Sequence, residues 1–175
     1  MKVPPGAPCT GCGMMDRPIL REPPSGAPEG TVWFGGPVDR FRVTLRICSE
    51  ELDPDHISVL LGCAPTRAER KGTPISVGER TRIPGSGRWS LSVHSEECGE
   101  GDDVEDGVRI LLERLPSDGS LWASLTTAYS VDVFCGLFLA SENRGFGMSA
   151  ELCKLLADRN LEIGFDLCFD PPGRR

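Results

Sequence analysis

The chain has 175 residues, 39% of them hydrophobic, and a formal net charge of -7. That apolar content suits one packed domain and excludes a wholly disordered chain, while the acidic balance argues against unspecific binding to nucleic acid, which needs Lys and Arg against phosphates. No run of about 18 apolar residues predicts a membrane span, and the opening MKVPPGAPCTGCG lacks the apolar stretch of a secretory signal, so a cytoplasmic location is expected.

Residues 1–37 are rich in Pro and Gly and show neither helical nor strand period, so they read as an irregular arm. Val32, Trp33 and Phe34 are its one apolar cluster, the part expected to dock onto the domain. A single domain is expected over 38–170, with a short tail over 171–175. Its first element, DRFRVTLRI, alternates strictly: Phe41, Val43, Leu45 and Ile47 on one face, Arg40, Arg42, Thr44 and Arg46 on the other. Such alternation predicts a strand with one face buried. In DPDHISVLLG, Asp53 caps a helix, Pro54 suits its first position, Ile57, Leu60 and Leu61 form its stripe, and Gly62 ends it.

RWSLSVH alternates again, with Trp89, Leu91 and Val93 inward and Arg88, Ser90, Ser92 and His94 outward. Val104, Val108, Leu111, Leu112 and Leu115 recur at helical spacing and Pro116 stops that helix. LWASLTTAYSVDVFCGLFLAS is too long for one strand and is read as two, divided near Ala128. Ser149 caps a third helix, with Met148 expected to pack back on Cys153 and Asn160 to end it. The last strand, LEIGFDLCF, places Leu161, Ile163, Phe165, Leu167 and Phe169 inward and Glu162, Asp166 and Asp170 outward. The fold class is therefore α+β: an antiparallel or mixed sheet of five to six strands with three helices on one face, ferredoxin-like in character. The expected core comprises the four inward residues of the first strand, Ile57, Leu61, Trp89, Leu91, Val108, Leu112, Leu155, Ile163 and Phe165.

The order FRVTLRICSEELDPDHISVLLGCAPTRAERKG, GRWSLSV, GFGMSAELCKLLADRNLEIGFDL resembles the DUF4279 family of bacterial proteins over about residues 39–170. The positions that carry it are Asp53, Pro54, Ile57, Leu61, Gly62, Pro65, Thr66, Lys71, Gly72 and Trp89. The resemblance implies no catalytic residues. Similar small domains among immunity and toxin-neighbourhood proteins make an immunity-type role the associated expectation.

Candidate chemistry is sparse. The eight cysteines include one C-x2-C, Cys9 and Cys12, which is half a zinc site. Cys48, Cys63, Cys135, Cys153 and Cys168 lie in or beside apolar segments and read as free core thiols. His94 stands four residues before Cys98 in an acidic loop that would raise a thiol pKa, and His56 falls in the first helical turn. The Gly-rich turns lack the Lys-Ser/Thr of a phosphate loop, and EECGEGDDVED lacks calcium-loop spacing. No metal, no cofactor and no catalytic residue are therefore expected.

The outer face is richer. Arg40, Arg42 and Arg46 on the first strand and Glu162, Asp166 and Asp170 on the last could form a cross-strand charge ladder if those strands are neighbours. The same face could instead recognise a partner through Arg40, Arg42, Arg46, His94 and Asp132, extended by Ser90 and Ser92, with Phe134 and Phe138 as exposed aromatic anchors. The reading adopted is a non-enzymatic module that binds another protein, not nucleic acid or a membrane. The alternatives are a metal or thiol enzyme built on Cys9 and Cys12 or on His94 and Cys98, and a structural domain that self-associates.

Overall fold

The computed structural model describes residues 36–99, 101–140 and 144–169. The expected docking cluster Val32–Trp33–Phe34, the pair Cys9 and Cys12, and Asp170 lie outside these residues. Seven strands and four α-helices are found among the described residues: β1 Arg40–Ser49, α1 Pro54–Leu61, β2 Arg67–Glu69, β3 Ile75–Val77, β4 Arg80–Arg82, β5 Gly87–His94, α2 Val104–Glu113, α3 Gly119–Ala128, β6 Ser130–Leu139, α4 Ala150–Ala157 and β7 Glu162–Phe169. The class is α+β. A five-stranded mixed sheet has the order β2-β5-β1-β6-β7, and β3 and β4 form a separate two-stranded ribbon.

The long alternations put β1 at the centre, antiparallel to both β5 and β6. Val43 stands between Val93 and Cys135, Leu45 between Leu91 and Val133, and Ile47 between Trp89 and Val131. These rows meet α1, α2, α3 and α4 in one apolar core that includes Trp122, Leu125 and Leu152. Trp89 is fully buried and spends its one polar group on Ser58 of α1, donating Nε1–H to Oγ at 3.0 Å.

Local chemistry sets the helix ends. Asp53 accepts from Asp55 N at 3.0 Å, and Gly62 closes α1 at φ 69°, a left-handed cap that a Cβ would strain. Asp103 and Asp106 form a reciprocal capping box at the start of α2, and Ser149 caps α4 by accepting from Leu152 N. Asn160, at φ 53°, turns the chain into β7. Met148 packs on the core, while Cys153 is exposed.

Three expectations change. First, there are four helices among the described residues, because the first half of LWASLTTAYSVDVFCGLFLAS is α3 rather than a strand. Asp118 caps it, Trp122 and Leu125 supply its buried stripe, and the hydroxyls of Ser124, Thr126 and Thr127 donate to carbonyls three or four residues back. That internal bonding lets two Thr, usually strand formers, sit in the last helical turn. Second, β6 lies between the first and last strands and runs parallel to β7 through the α4 crossover. The ladder from Arg40, Arg42 and Arg46 to Glu162 and Asp166 is therefore not built. Third, β7 is an edge strand. Leu161 is buried and Ile163 packs on the core, but Phe165 (36%), Leu167 (61%) and Phe169 (57%) remain exposed. Of the expected core, Phe165 is thus outside it and Leu155 is only half-buried, while the other residues of α1, α2, β1 and β5 are buried.

Candidate functional site: an arginine-lined groove on the open sheet face

The residues between the core positions of β1, β5 and β6 point to the other face, where no helix packs among the described residues. Register arranges them in rows across the sheet. Arg67, Ser90, Arg46 and Asp132 form one row; Ser92, Thr44 and Phe134 form the next; His94, Arg42 and Gly136 the third. Arg88 continues the face beyond the first row, and Arg40 pairs with Phe138 at the opposite end.

Above these rows runs a groove of about 420 Å³ lined by Arg42, Arg46, Arg67, Arg88, Thr44, Thr66, Ser90, Ser92, His94 and Phe134. A smaller hollow of about 180 Å³ adjoins it, sharing Arg42 and His94 and reaching Arg40, Glu96 and Phe138. The structure thus brings together Arg42, Arg46, His94 and Phe134 of the sequence-derived set, with Arg40 and Phe138 next door and Asp132 as Arg46's partner.

Hydrogen bonds fix the floor. Thr66 Oγ1 donates to Ser90 O at 3.1 Å and accepts from Ser92 N at 2.7 Å, so its hydroxyl continues the pairing past the three-residue β2. Thr44 and Ser92 share a hydroxyl bond of 2.9 Å. Charges are partly paired. Arg46 Nε donates to Asp132 Oδ1 at 3.0 Å and Nη2 to Oδ2, and this bond holds the guanidinium pKa above its ordinary value. Arg67 Nε donates to Glu69 Oε1 at 2.7 Å, and Arg82 of β4 reaches the same buried carboxylate. Burial pushes the Glu69 carboxyl up, but Arg67 and Arg82 together outweigh it and hold its pKa below the ordinary value. Arg42 and Arg88 have no carboxylate partner among the described residues.

The aromatic residues differ from expectation. Phe134 and Phe138 do point to the open face, but both rings are half-buried under guanidinium groups: Arg46 stands 4.2 Å over Phe134 and Arg40 4.8 Å over Phe138. They are a cushion under the arginines, not bare anchors. Thr66, Arg67 and Arg88 were missed as site residues. Alternation in RWSLSVH already placed Arg88 on this face; Arg67 sits in a strand too short to show a period.

The thiol candidates are placed elsewhere. Cys98 Sγ donates to the backbone oxygen of His94 at 3.6 Å, not to its imidazole. Burial, then the carboxylates of Asp102 and Glu97, push its pKa up, which keeps it protonated. Cys135 is in the core and its pKa is pushed up to about 12 by burial. Cys48, Cys63 and Cys168 are half-buried and Cys153 is exposed, so only one of the five expected core thiols is fully inside. Among the described residues no three of His, Cys, Asp and Glu gather as a metal site, and no helix is long and apolar enough to cross a membrane.

The family described as Domain of unknown function (DUF4279) matches residues 39–170. The chain belongs to the DUF4279 family. No curated protein and no solved structure matches it. The DUF4279 motif positions explain themselves mostly as scaffold. Asp53 caps α1 and, with Asp55, takes Arg70 in a fork; Lys71 bridges Glu50 and Glu51; Gly72 holds a left-handed φ of 74°. Thr66 is the motif residue that also lines the groove.

Proposed function

We propose that this chain is a non-enzymatic binding module that holds an extended acidic segment of a partner protein in the groove on its open sheet face. The observation that carries this is the placement of Arg42 and Arg88. Arg42 stands opposite His94, and Arg88 lies six positions along β5 from His94, so the two guanidinium-bearing positions are ~20 Å apart along the strands. A single small anion cannot reach both; a peptide strand of five or six residues can. Arg46 and Arg67 lie between them, already paired, and give the floor a positive field within a chain of net charge -7. Guanidinium groups lie over both rings, which favours carboxylates over nucleobases, since stacking needs a bare aromatic face. An immunity-type role, masking the partner by occupying its acidic segment in the cytoplasm, is the form such binding would take.

The test compares the immobilised wild-type chain with Arg42→Glu/Arg88→Glu in a lysate of the host cell. A protein retained by the first, released by moderate salt, and lost from the second is the expected result. An identical set of retained proteins on both overturns the reading.

A further inference from the structure

We infer that β7 pairs antiparallel with β7 of a second copy of this chain, about a two-fold axis at Phe165, joining two five-stranded sheets into one. Among the described residues β7 is the outermost strand at the β6 end of the sheet, eight residues long, and its sequence EIGFDLCF contains no Pro, Lys or Arg. Edge strands that stay unpaired are normally short or guarded by such residues. The other edge, β2, is three residues long and carries one arginine and one glutamate side chain, tied by the Arg67–Glu69 bond. On β7 the face shared with the core keeps Phe165, Leu167 and Phe169 exposed, with Phe146 stacked on Phe165 at 4.8 Å between ring centroids.

Charge and strand length together select the register. Opposed side chains share a face, so a two-fold axis through the sheet must pass through a residue position. With the axis at Phe165, Leu167 faces Ile163, and on the other side Asp166 faces Gly164 and Glu162 faces Cys168. No like charges meet. Centring on Asp166 sets that carboxylate against its own copy, and centring on Gly164 sets Glu162 against Asp166, both unfavourable. Centring on Ile163 or Leu167 also avoids like charges but pairs only part of the strand, whereas the register at Phe165 pairs nearly all of it, from the left-handed Asn160 on one side toward Pro171 and Pro172 in the sequence, which lack a ladder donor, on the other. Such an axis keeps the faces of the sheet, so both arginine grooves would open on the same side.

Position 164 makes the inference testable. A Cβ there would meet only Phe134 Cδ2, at 4.0 Å, so a side chain fits the single copy without strain. In sedimentation equilibrium the wild-type chain should rise with concentration toward twice the mass of one chain. Gly164→Asp, which opposes Asp166 twice across the axis, should weaken the dimer about tenfold, and Gly164→Lys should hold or tighten it. Leu167→Arg, at a side chain exposed in the single copy, should leave it monomeric, with a melting curve equal to that of the wild type measured at concentrations too low to dimerise. A chain that stays monomeric at every concentration overturns the inference. So does a dimer that Gly164→Asp and Gly164→Lys weaken equally, because that association would not run through this register.

Discussion

The two faces of the same strands differ in almost everything but backbone. On β1, Val43, Leu45 and Ile47 have no exposed surface, while Arg42, Thr44 and Arg46, their immediate neighbours, line an open groove. One parity of residues is fixed by packing against four helices. The other is held by hydrogen bonds among Thr44, Ser92 and Thr66 and by two ion pairs, which leave a shaped polar surface. Such a division lets surface chemistry change with little cost to folding, since exposed substitutions usually move stability by less than about 0.5 kcal/mol. Substitutions on the two faces should therefore fall into separate classes.

The largest effect belongs to the covered face. Trp89→Ala removes a fully buried ring and the donor to Ser58, and should cost about 3–5 kcal/mol in urea unfolding. A loss under about 1 kcal/mol would mean that the face is less tightly packed than its burial implies. Gly107→Ala comes next. A Cβ at this α2 position would fall 2.5 Å from Phe41 Cε2, so overpacking of about 1–3 kcal/mol should outweigh the gain in helix propensity. Phe41→Leu in the same chain should restore part of that loss. If the double variant is no better than the single, the contact is not the cause.

Between the classes lies Glu105, which joins α2 to α4. Its carboxylate accepts from Ser149 N and Oγ, both at 2.7 Å, and from Arg109. Burial pushes its pKa up, but the Ser149 and Arg109 bonds outweigh this and the folded value is lowered. A lowered carboxyl pKa gives stability that is present above the unfolded value and lost as pH falls through the folded one. Glu105→Gln should cost about 1–2 kcal/mol at neutral pH, and the difference between variant and wild type should shrink below about pH 4. A constant difference down to acid pH would show that the charge is not what binds α4 at this point.

Much of this division was legible in the amino-acid order. Strict alternation in β1 and β5 assigned each residue to its face, and Asp53, Gly62 and Ser149 marked the helix ends through side-chain chemistry that acts within a few residues. What was not legible depends on distant neighbours. Period shows which face a residue takes, not what covers it, so Phe165, Leu167 and Phe169 read as core although they remain exposed. Nor does period give pairing order: β6 intervenes beside β1, and Arg46 finds Asp132 instead of Glu162 or Asp166. The segment LWASLTTAYSVDVFCGLFLAS divides by length into two strands, while in its first half Leu121, Trp122 and Leu125 carry the helical spacing that prevails.

The smallest stability effect, and the sharpest contrast, is expected on the open face. Arg42→Glu/Arg88→Glu changes two exposed residues without carboxylate partners among the described residues, so the melting temperature should stay within about 2 °C of wild type. Arg46→Glu is different, because it sets a carboxylate opposite Asp132 and uncovers Phe134; it should lose about 1 kcal/mol. Phe134→Ala removes the cushion but leaves the Arg46–Asp132 bond, and should lose about 0.5–1 kcal/mol. If all three abolish capture of the same partner, binding tracks the groove and not stability, since their stability losses differ. If capture fails only in the two destabilised variants, Arg42 and Arg88 have no part in it, and the open face serves the fold alone.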